Sequence, residues 1–357
     1  MPLEGLRWSR DSGSALCDTP PNSRSRTGWG GKEIWIDQAR AIAIICMVLC
    51  HTNDIMGCNF VFYKWVGIFF MPLFFFISGC LSKDNMTIRK LTSRIIGRLL
   101  IPYFVWAIIM QMAINKAFIY ACINGDIVIV EKHILEILFG DYLWYVPCLV
   151  CIELLNFILV KISSLQHNNL HLRVFLILAS FIYLLMIGED HCFWHLDTAF
   201  ASIGFYLLGY YYFRYGRFLK NKFLSILSAI LFIAIAIYER GNGVVFDIHQ
   251  HVLTHPLIIL MTSILGVLVT VNLCCNFKMG KWLVLIGVNS LFIYIFHYKV
   301  LCAIKPILNR FISDEDYIIN AIAIPMMLSI SILVCNLLIK PINKYCPIII
   351  GNKKLNF

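Results

Sequence analysis

The chain has 357 residues, of which 60% are hydrophobic and only 14% charged, against about 25% charged in a typical soluble domain. That balance excludes an ordinary soluble fold. The formal net charge of +10 would suggest nucleic acid for a soluble protein. In a membrane chain the placement of basic residues matters more than their sum, so no nucleic-acid partner is expected.

The first 32 residues are polar and rich in Ser, Gly, Pro and Arg. With no apolar core, they read as a disordered cytoplasmic tail and not as a cleavable signal peptide. Beyond them the apolar residues recur in runs of about 18–22, the length that spans about 30 Å of hydrocarbon. Ten such spans fit, at about 34–55, 61–81, 99–119, 142–160, 174–188, 199–213, 223–238, 255–276, 282–301 and 318–339. The expectation is an all-α polytopic membrane protein, a bundle of about ten transmembrane helices over 33–345, with a short tail at 346–357. With the N-terminus inside, only Lys64, Lys116, Lys132, Arg240, Lys299, Lys305 and Arg310 fall outside. That leaves 23 of the 30 Lys and Arg on the inner face, a positive-inside bias that puts both termini in the cytoplasm.

The first span carries Asp37, Arg40 and, after ten almost wholly apolar residues, His51. Each ionisable group in such a place costs roughly 2.5–3.5 kcal/mol on insertion scales, so a functional role is the default expectation. Eleven helical residues advance about 16 Å and rotate about 1100°, only about 20° beyond three turns. Arg40 and His51 are therefore expected on one face, one near the cytoplasmic mouth and one deep inside. A snorkelling arginine and a hydrogen-bonded interior histidine would fit the same residues.

The second span holds Met71-Pro72-Leu73-Phe74-Phe75-Phe76-Ile77-Ser78-Gly79, in which the proline implies a kink and Ser78-Gly79 permit close helix approach. Between spans two and three lies a basic segment containing Arg89, Lys90, Arg94 and Arg98. It suits anchoring to anionic lipid or a phosphate clamp, since arginine forks match phosphate oxygens. The fourth span opens with Leu143-Trp144-Tyr145-Val146-Pro147 and contains Glu153, a carboxylate that must be paired or protonated there. The outer loop His191-Cys192-Phe193-Trp194-His195-Leu196-Asp197 is aromatic. Its two histidines offer metal-ligand nitrogens, but nothing in the spacing fixes a site. In span nine, Asn289 and Ser290 lead to His297, at a depth close to that of His51. Ser290 and His297, seven apart, share a helix face. The 14 cysteines lie mostly in apolar runs and read as small core residues. No metal is predicted.

Together these segments resemble the acyltransferase-3 family of bacterial integral-membrane O-acyltransferases, especially its fucose 4-O-acetylase-like branch, over about residues 33–345. Arg40 and His51 match the family's Arg-x10-His signature in helix one. Residues 71–79 look like its second-helix signature, and Leu143 to Pro147 are similar to its Leu-Trp-Phe-x-Pro turn. Ser290 to His297 look like its late Ser-Leu-x-Ile-Tyr-x-x-His. One departure stands: the family often shows Arg-x-x-Arg after helix two, whereas three residues separate Arg94 and Arg98 here.

The resemblance implies transfer of an acyl group, usually acetyl from cytoplasmic acetyl-CoA, to a hydroxyl of an envelope polysaccharide or lipid-linked sugar at the bacterial cytoplasmic membrane. The residues fit that chemistry. A donor charged at one end needs cations at the cytoplasmic mouth, here Arg40, Arg94 and Arg98. A neutral imidazole at His51 can deprotonate the acceptor as general base, or carry the acyl group itself. Asp37 would orient the Arg40 guanidinium. His297, Ser290, Asn289, Glu153 and Trp144 are the expected supporting residues. A transporter or lipid-linked-sugar flippase is the rival reading, but its paired broken helices in two repeated halves are not found in the sequence. Pairing with a second copy stays open.

Overall fold

A computed structural model describes residues 34–57, 61–83, 86–165, 169–188, 191–216, 222–239, 246–277, 279–308, 310 and 317–351. The polar segment 1–32 and the distal part of the C-terminal tail lie outside the described residues. Nearly everything described is helical, as expected of a chain that must satisfy its own backbone hydrogen bonds in lipid. Among the described residues six helices are long and apolar enough to cross a bilayer: Ile34–Met56, Ile88–Ala113, Tyr145–Ile162, Pro256–Asn276, Ser290–Leu308 and Asn320–Tyr345. Trp65–Cys80, Leu170–Met186 and Phe223–Tyr238 are shorter apolar helices. The protein is a multi-pass membrane protein.

The centre of the bundle is α1 (Ile34–Met56). Its small residues Ala39, Ala41 and Ala43 are fully buried and let neighbours approach closely. Helices α2 (Val61–Cys80), α11 (Pro256–Asn276), α12 (Lys281–Val288), α13 (Ser290–Leu308) and α14 (Tyr317–Tyr345) all pack on it. A second layer is built from α7 (Tyr145–Leu165), α8 (Asn169–Met186) and α9 (Leu196–Tyr215), with α9 against α2. Helix α10 (Lys222–Glu239) exposes Ile226, Ile230, Ile233 and Ile237 on the outside, the surface expected of a lipid-facing helix.

Glycine sets the α2–α9 contact. A Cβ at Gly79 would run into the backbone carbonyl of Tyr206, and one at Gly209 into that of Phe76. The two helices thus meet backbone to backbone, and the Cys80 thiol donates to the Gly209 carbonyl at 3.2 Å.

The structure departs from the sequence expectation in three places. The third helix begins at Ile88, capped by the Thr87 hydroxyl, so Arg89 to Arg98 lie on a helix and not in a loop. It runs through α3 (Ile88–Ile95), a π turn at Ile96–Leu100, α4 (Ile101–Ile108) and a second π turn at Ile109–Ala113. The first π turn directly precedes Pro102, which has no N–H to give the ladder and crowds the carbonyl four residues back. Second, this helix stops before Asn115, which caps a separate α5 (Lys116–Asn124). Asp126 then caps α6 (Ile127–Phe139), and both helices end on left-handed glycines, Gly125 and Gly140. Third, the expected span 282–301 divides at Asn289 into α12 and α13. The Asn289 side chain donates to Asn336 Oδ1 of α14 at 2.7 Å, while its backbone still bonds Leu285 and Ile293 on either side.

Between α10 and α11 a two-residue hairpin pairs Phe246–Asp247 (β1) antiparallel with Val252–Leu253 (β2). The C-terminal 3₁₀ turn Pro347–Ile350 docks on α4, where the Trp106 indole donates to the Ile349 carbonyl at 2.8 Å.

Substituting Gly79→Ala or Gly209→Ala forces backbone against side chain and is expected to cost about 1–3 kcal/mol, the usual penalty of overpacking. Melting of the detergent-solubilised protein measures it. Gly67→Ala, whose Cβ would meet only Cys50 Sγ at 3.9 Å, should melt like wild type.

Candidate active site

Two histidines meet where α1 and α13 pack. The His51 and His297 rings lie 5.2 Å apart with 35° between their planes. The Tyr298 ring stands edge-on to His51 at 6.1 Å. One turn beyond His51, the Ile55 carbonyl accepts from Lys305 Nζ at 2.5 Å, fastening α13 to the end of α1.

The tautomer of His297 follows from its partners. Its Nδ1 lies 3.0 Å from the Ile293 carbonyl and 2.8 Å from that of Tyr294. Carbonyl oxygens only accept, so Nδ1 carries the proton and donates. Nε2 of the neutral ring is then a bare lone pair. It is buried and has no hydrogen-bond partner among the described residues. A lone pair held this way beside a second imidazole can accept a hydrogen bond from it or from a bound hydroxyl.

Asp37 and Arg40 sit one turn apart on the same helix, and Arg40 Nη1 donates to Asp37 Oδ1 at 3.2 Å. The aspartate is buried and the arginine partly open. Helix α1 continues unbroken from Arg40 to His51, which separates the two by about 16 Å along one face. Tyr145 of α7 packs near α1's neighbours, its hydroxyl 3.4 Å from Ser78 Oγ of α2. The Tyr145 backbone N–H donates to the Tyr294 hydroxyl at 3.3 Å, and the Tyr294 carbonyl accepts from His297.

The remaining predicted residues divide. Glu153 pairs with Arg94, tying α7 to α3. Arg94 is thereby engaged within the protein, whereas Arg98 is exposed. Asn289 is held by Asn336 at the break in the helix. Ser290 opens α13, about two turns before His297. Trp144 stacks on His249 at 5.0 Å, in a separate cluster at the turn into α9.

That cluster was only half legible in the sequence. His191 and His195 come from the aromatic loop, but the structure adds His249 and His251 from the hairpin. Burial, and then the neighbouring His249, push His195 down to about 4, so its ring is neutral near pH 7. Burial also lowers His249 and His251. A cavity of about 840 Å³ lies elsewhere, between α8, α9 and α11, walled by Arg173, Tyr211 and Tyr215 among others; it contains neither His51 nor His297.

A family model described as an acyltransferase domain, Acyl_transf_3, matches residues 33–340. The chain belongs to the acyltransferase-3 family. The matched region holds the histidine pair, the Asp37–Arg40 pair and the Arg94–Glu153 pair, so the family assignment and the polar interior of the bundle coincide. No curated protein and no solved structure matches the chain. The acyltransferase assignment therefore rests on the family model alone.

The Arg94–Glu153 pair separates a paired cation from an exposed one, Arg98. Arg94→Met strands the Glu153 carboxylate in the interior and is expected to lower stability by up to about 3–5 kcal/mol. The double variant Arg94→Met/Glu153→Leu should recover most of that loss, and Arg98→Ala should cost little. Thermal melts of the four proteins side by side measure this.

Proposed function

We propose that this acyltransferase moves an acyl group, acetyl in the family's usual case, from cytoplasmic acyl-CoA to a hydroxyl of an envelope polysaccharide or lipid-linked sugar. On this reading it works in the bacterial cytoplasmic membrane with both termini inside. The observation that carries the proposal is the His51–His297 pair set along one helix face from Arg40.

The donor's phosphates bind at the cytoplasmic mouth, drawn by Arg40 and Arg98, with Asp37 holding the Arg40 guanidinium in orientation. Arg94, held by Glu153, lends charge to the same surface and fixes the helix that bears Arg98. A pantetheine arm matches the roughly 16 Å from Arg40 to His51 in order of magnitude, so the thioester reaches the imidazoles. The acceptor hydroxyl oxygen attacks the thioester carbonyl as His51 takes its proton. The carbon–sulfur bond then breaks, and the proton passes to the departing thiolate. His297 Nε2, bare and fixed, accepts a hydrogen bond from the imidazolium or the hydroxyl and steadies the charge.

The same pair supports a second route. The sequence alone identifies no activating partner for a nucleophilic His51, and the bare Nε2 of His297 is a hydrogen-bond acceptor that can orient its ring. A neutral His51 nitrogen would attack the thioester carbonyl, the carbon–sulfur bond would break and the imidazole's other proton would pass to the departing thiolate, leaving an acyl-imidazole for the acceptor hydroxyl. Radiolabel retained on protein exposed to acetyl-CoA without acceptor distinguishes this route from general-base catalysis.

Expression of His51→Ala at wild-type membrane levels tests the proposal itself. Acetyl incorporation into envelope glycan should fall at least about 100-fold, the lower end of what a general base supplies. Wild-type incorporation in that strain would remove His51 from the mechanism. Solute accumulating in vesicles without glycan labelling would favour the transporter reading. Asp37→Asn should weaken donor use, raising the KM for acetyl-CoA, with the protein still folded.

A further inference from the structure

Away from the acyl-transfer residues, four histidines and three aspartates from three chain segments converge at one end of the bundle. His191, His195 and Asp197 lie in the turn into α9, Asp247, His249 and His251 in the hairpin, and Asp141 just before α7. The His191 ring is 4.5 Å from that of His251 and 5.4 Å from that of His195. The His195 and His249 rings are 5.2 Å apart. His195 is fully buried; its Nε2 lies 3.3 Å from Asp141 Oδ1, and its Nδ1 has no hydrogen-bond partner among the described residues. So many imidazoles packed together cannot all be protonated without strong mutual repulsion. As neutral rings they are a dense set of nitrogen lone pairs.

One subset has the order of a ligand set. Ligand atoms of His191, Asp197 and His251 all lie within 4.8 Å of one another. His251 Nδ1 donates to the Gly188 carbonyl at 2.7 Å, which leaves Nε2 as the lone pair. A ring nitrogen held by a backbone carbonyl is the usual outer support of a metal-bound histidine. Nε2 of His251 and Nδ1 of His191 approach the same oxygen, Asp197 Oδ2, each at 3.8 Å. That is too long for hydrogen bonds. It is close to the roughly 3.4 Å between ligand atoms around a tetrahedral ion with bonds of about 2.0–2.2 Å. Asp197 is itself fixed by the backbone N–H of Cys192 at 3.0 Å and of Thr198 at 2.7 Å. The Thr198 hydroxyl, 2.8 Å from His251 Nε2, has Asp197 Oδ1 within 3.5 Å as its other partner. It can turn there when Nε2 takes up a cation.

We propose that His191, Asp197 and His251 bind a divalent transition-metal ion of the zinc class, clasping the β1–β2 hairpin to the start of α9. Two imidazoles and a carboxylate suit zinc, and three protein ligands leave one position for water or His249. The ligand set itself stands independently of the acyl-transfer reading.

Full-length protein in detergent, stripped with a chelator, is titrated with Co2+ and then with Zn2+. The expected result is one equivalent of Co2+ bound with visible ligand-field bands, displaced by one equivalent of Zn2+. His191 is exposed, so His191→Ala leaves the packing intact and should bind Zn2+ at least tenfold more weakly, as should His251→Gln. His171→Ala, at another exposed position, should bind like wild type. Melts recorded without metal verify that each variant is folded. Absence of stoichiometric Zn2+ uptake by the stripped wild type, or unchanged affinity in both ligand variants, overturns the proposal. Neither readout depends on acyl transfer.

Discussion

The contact between the His51 and His297 rings, 5.2 Å apart, is where the fold and the proposed chemistry meet. An imidazole inside a bilayer must stay neutral or find a counter-charge, because an isolated ion there is heavily penalised. The bundle meets that demand with backbone, since the helix carbonyls of Ile293 and Tyr294 fix the His297 proton on Nδ1. What remains is an unshared Nε2 pair in the interior, a group that costs stability when it has no partner. Such a cost is tolerated at sites that await a substrate. Its placement depends on α1, whose alanine-rich surface lets α13 come close, and on Lys305, which holds the two helices in register.

The cations follow a different logic. Arg40 and Arg94 each have a carboxylate partner, Asp37 and Glu153. Pairing keeps them charged where lone guanidinium groups would be expelled toward the surface. The first pair sits on the helix that bears His51, whereas the second links α3 to α7. Exposed Arg98 lies four residues beyond Arg94, inside the π turn. Two of the three cations are thus held by ion pairs and the third opens outward. In the proposed function that is the polarity needed to receive a phosphate-bearing donor at one end and deliver its thioester to the other.

Much of this was legible in the sequence because it is local. Apolar run length located the helices, and the eleven-residue spacing from Arg40 to His51 survives in an unbroken α1. Depth alone suggested that His51 and His297 share a level, and the rings are in contact range. Other features escaped because nothing local marks them. The start of the third helix at Ile88 is set by a Thr87 cap within a basic segment that reads as a loop. The partner of Asn289, where α12 gives way to α13, is Asn336, 47 residues away. The histidine cluster joins His191 to His251 across two helices, a convergence that no linear spacing reveals. Trp144, counted in the sequence among the supporting residues, stacks on that cluster.

The claim at the centre is that His51 and His297 act as one unit in acyl transfer. A double-mutant cycle tests it most directly, with His51→Gln, His297→Gln and the combined variant assayed in membrane vesicles for transfer from radiolabelled acetyl-CoA to native envelope acceptor. Residues acting as a unit are strongly non-additive. The combined variant should therefore be about as slow as the slower single one. Losses that multiply, or a wild-type rate in either single variant at equal protein levels, would contradict the account.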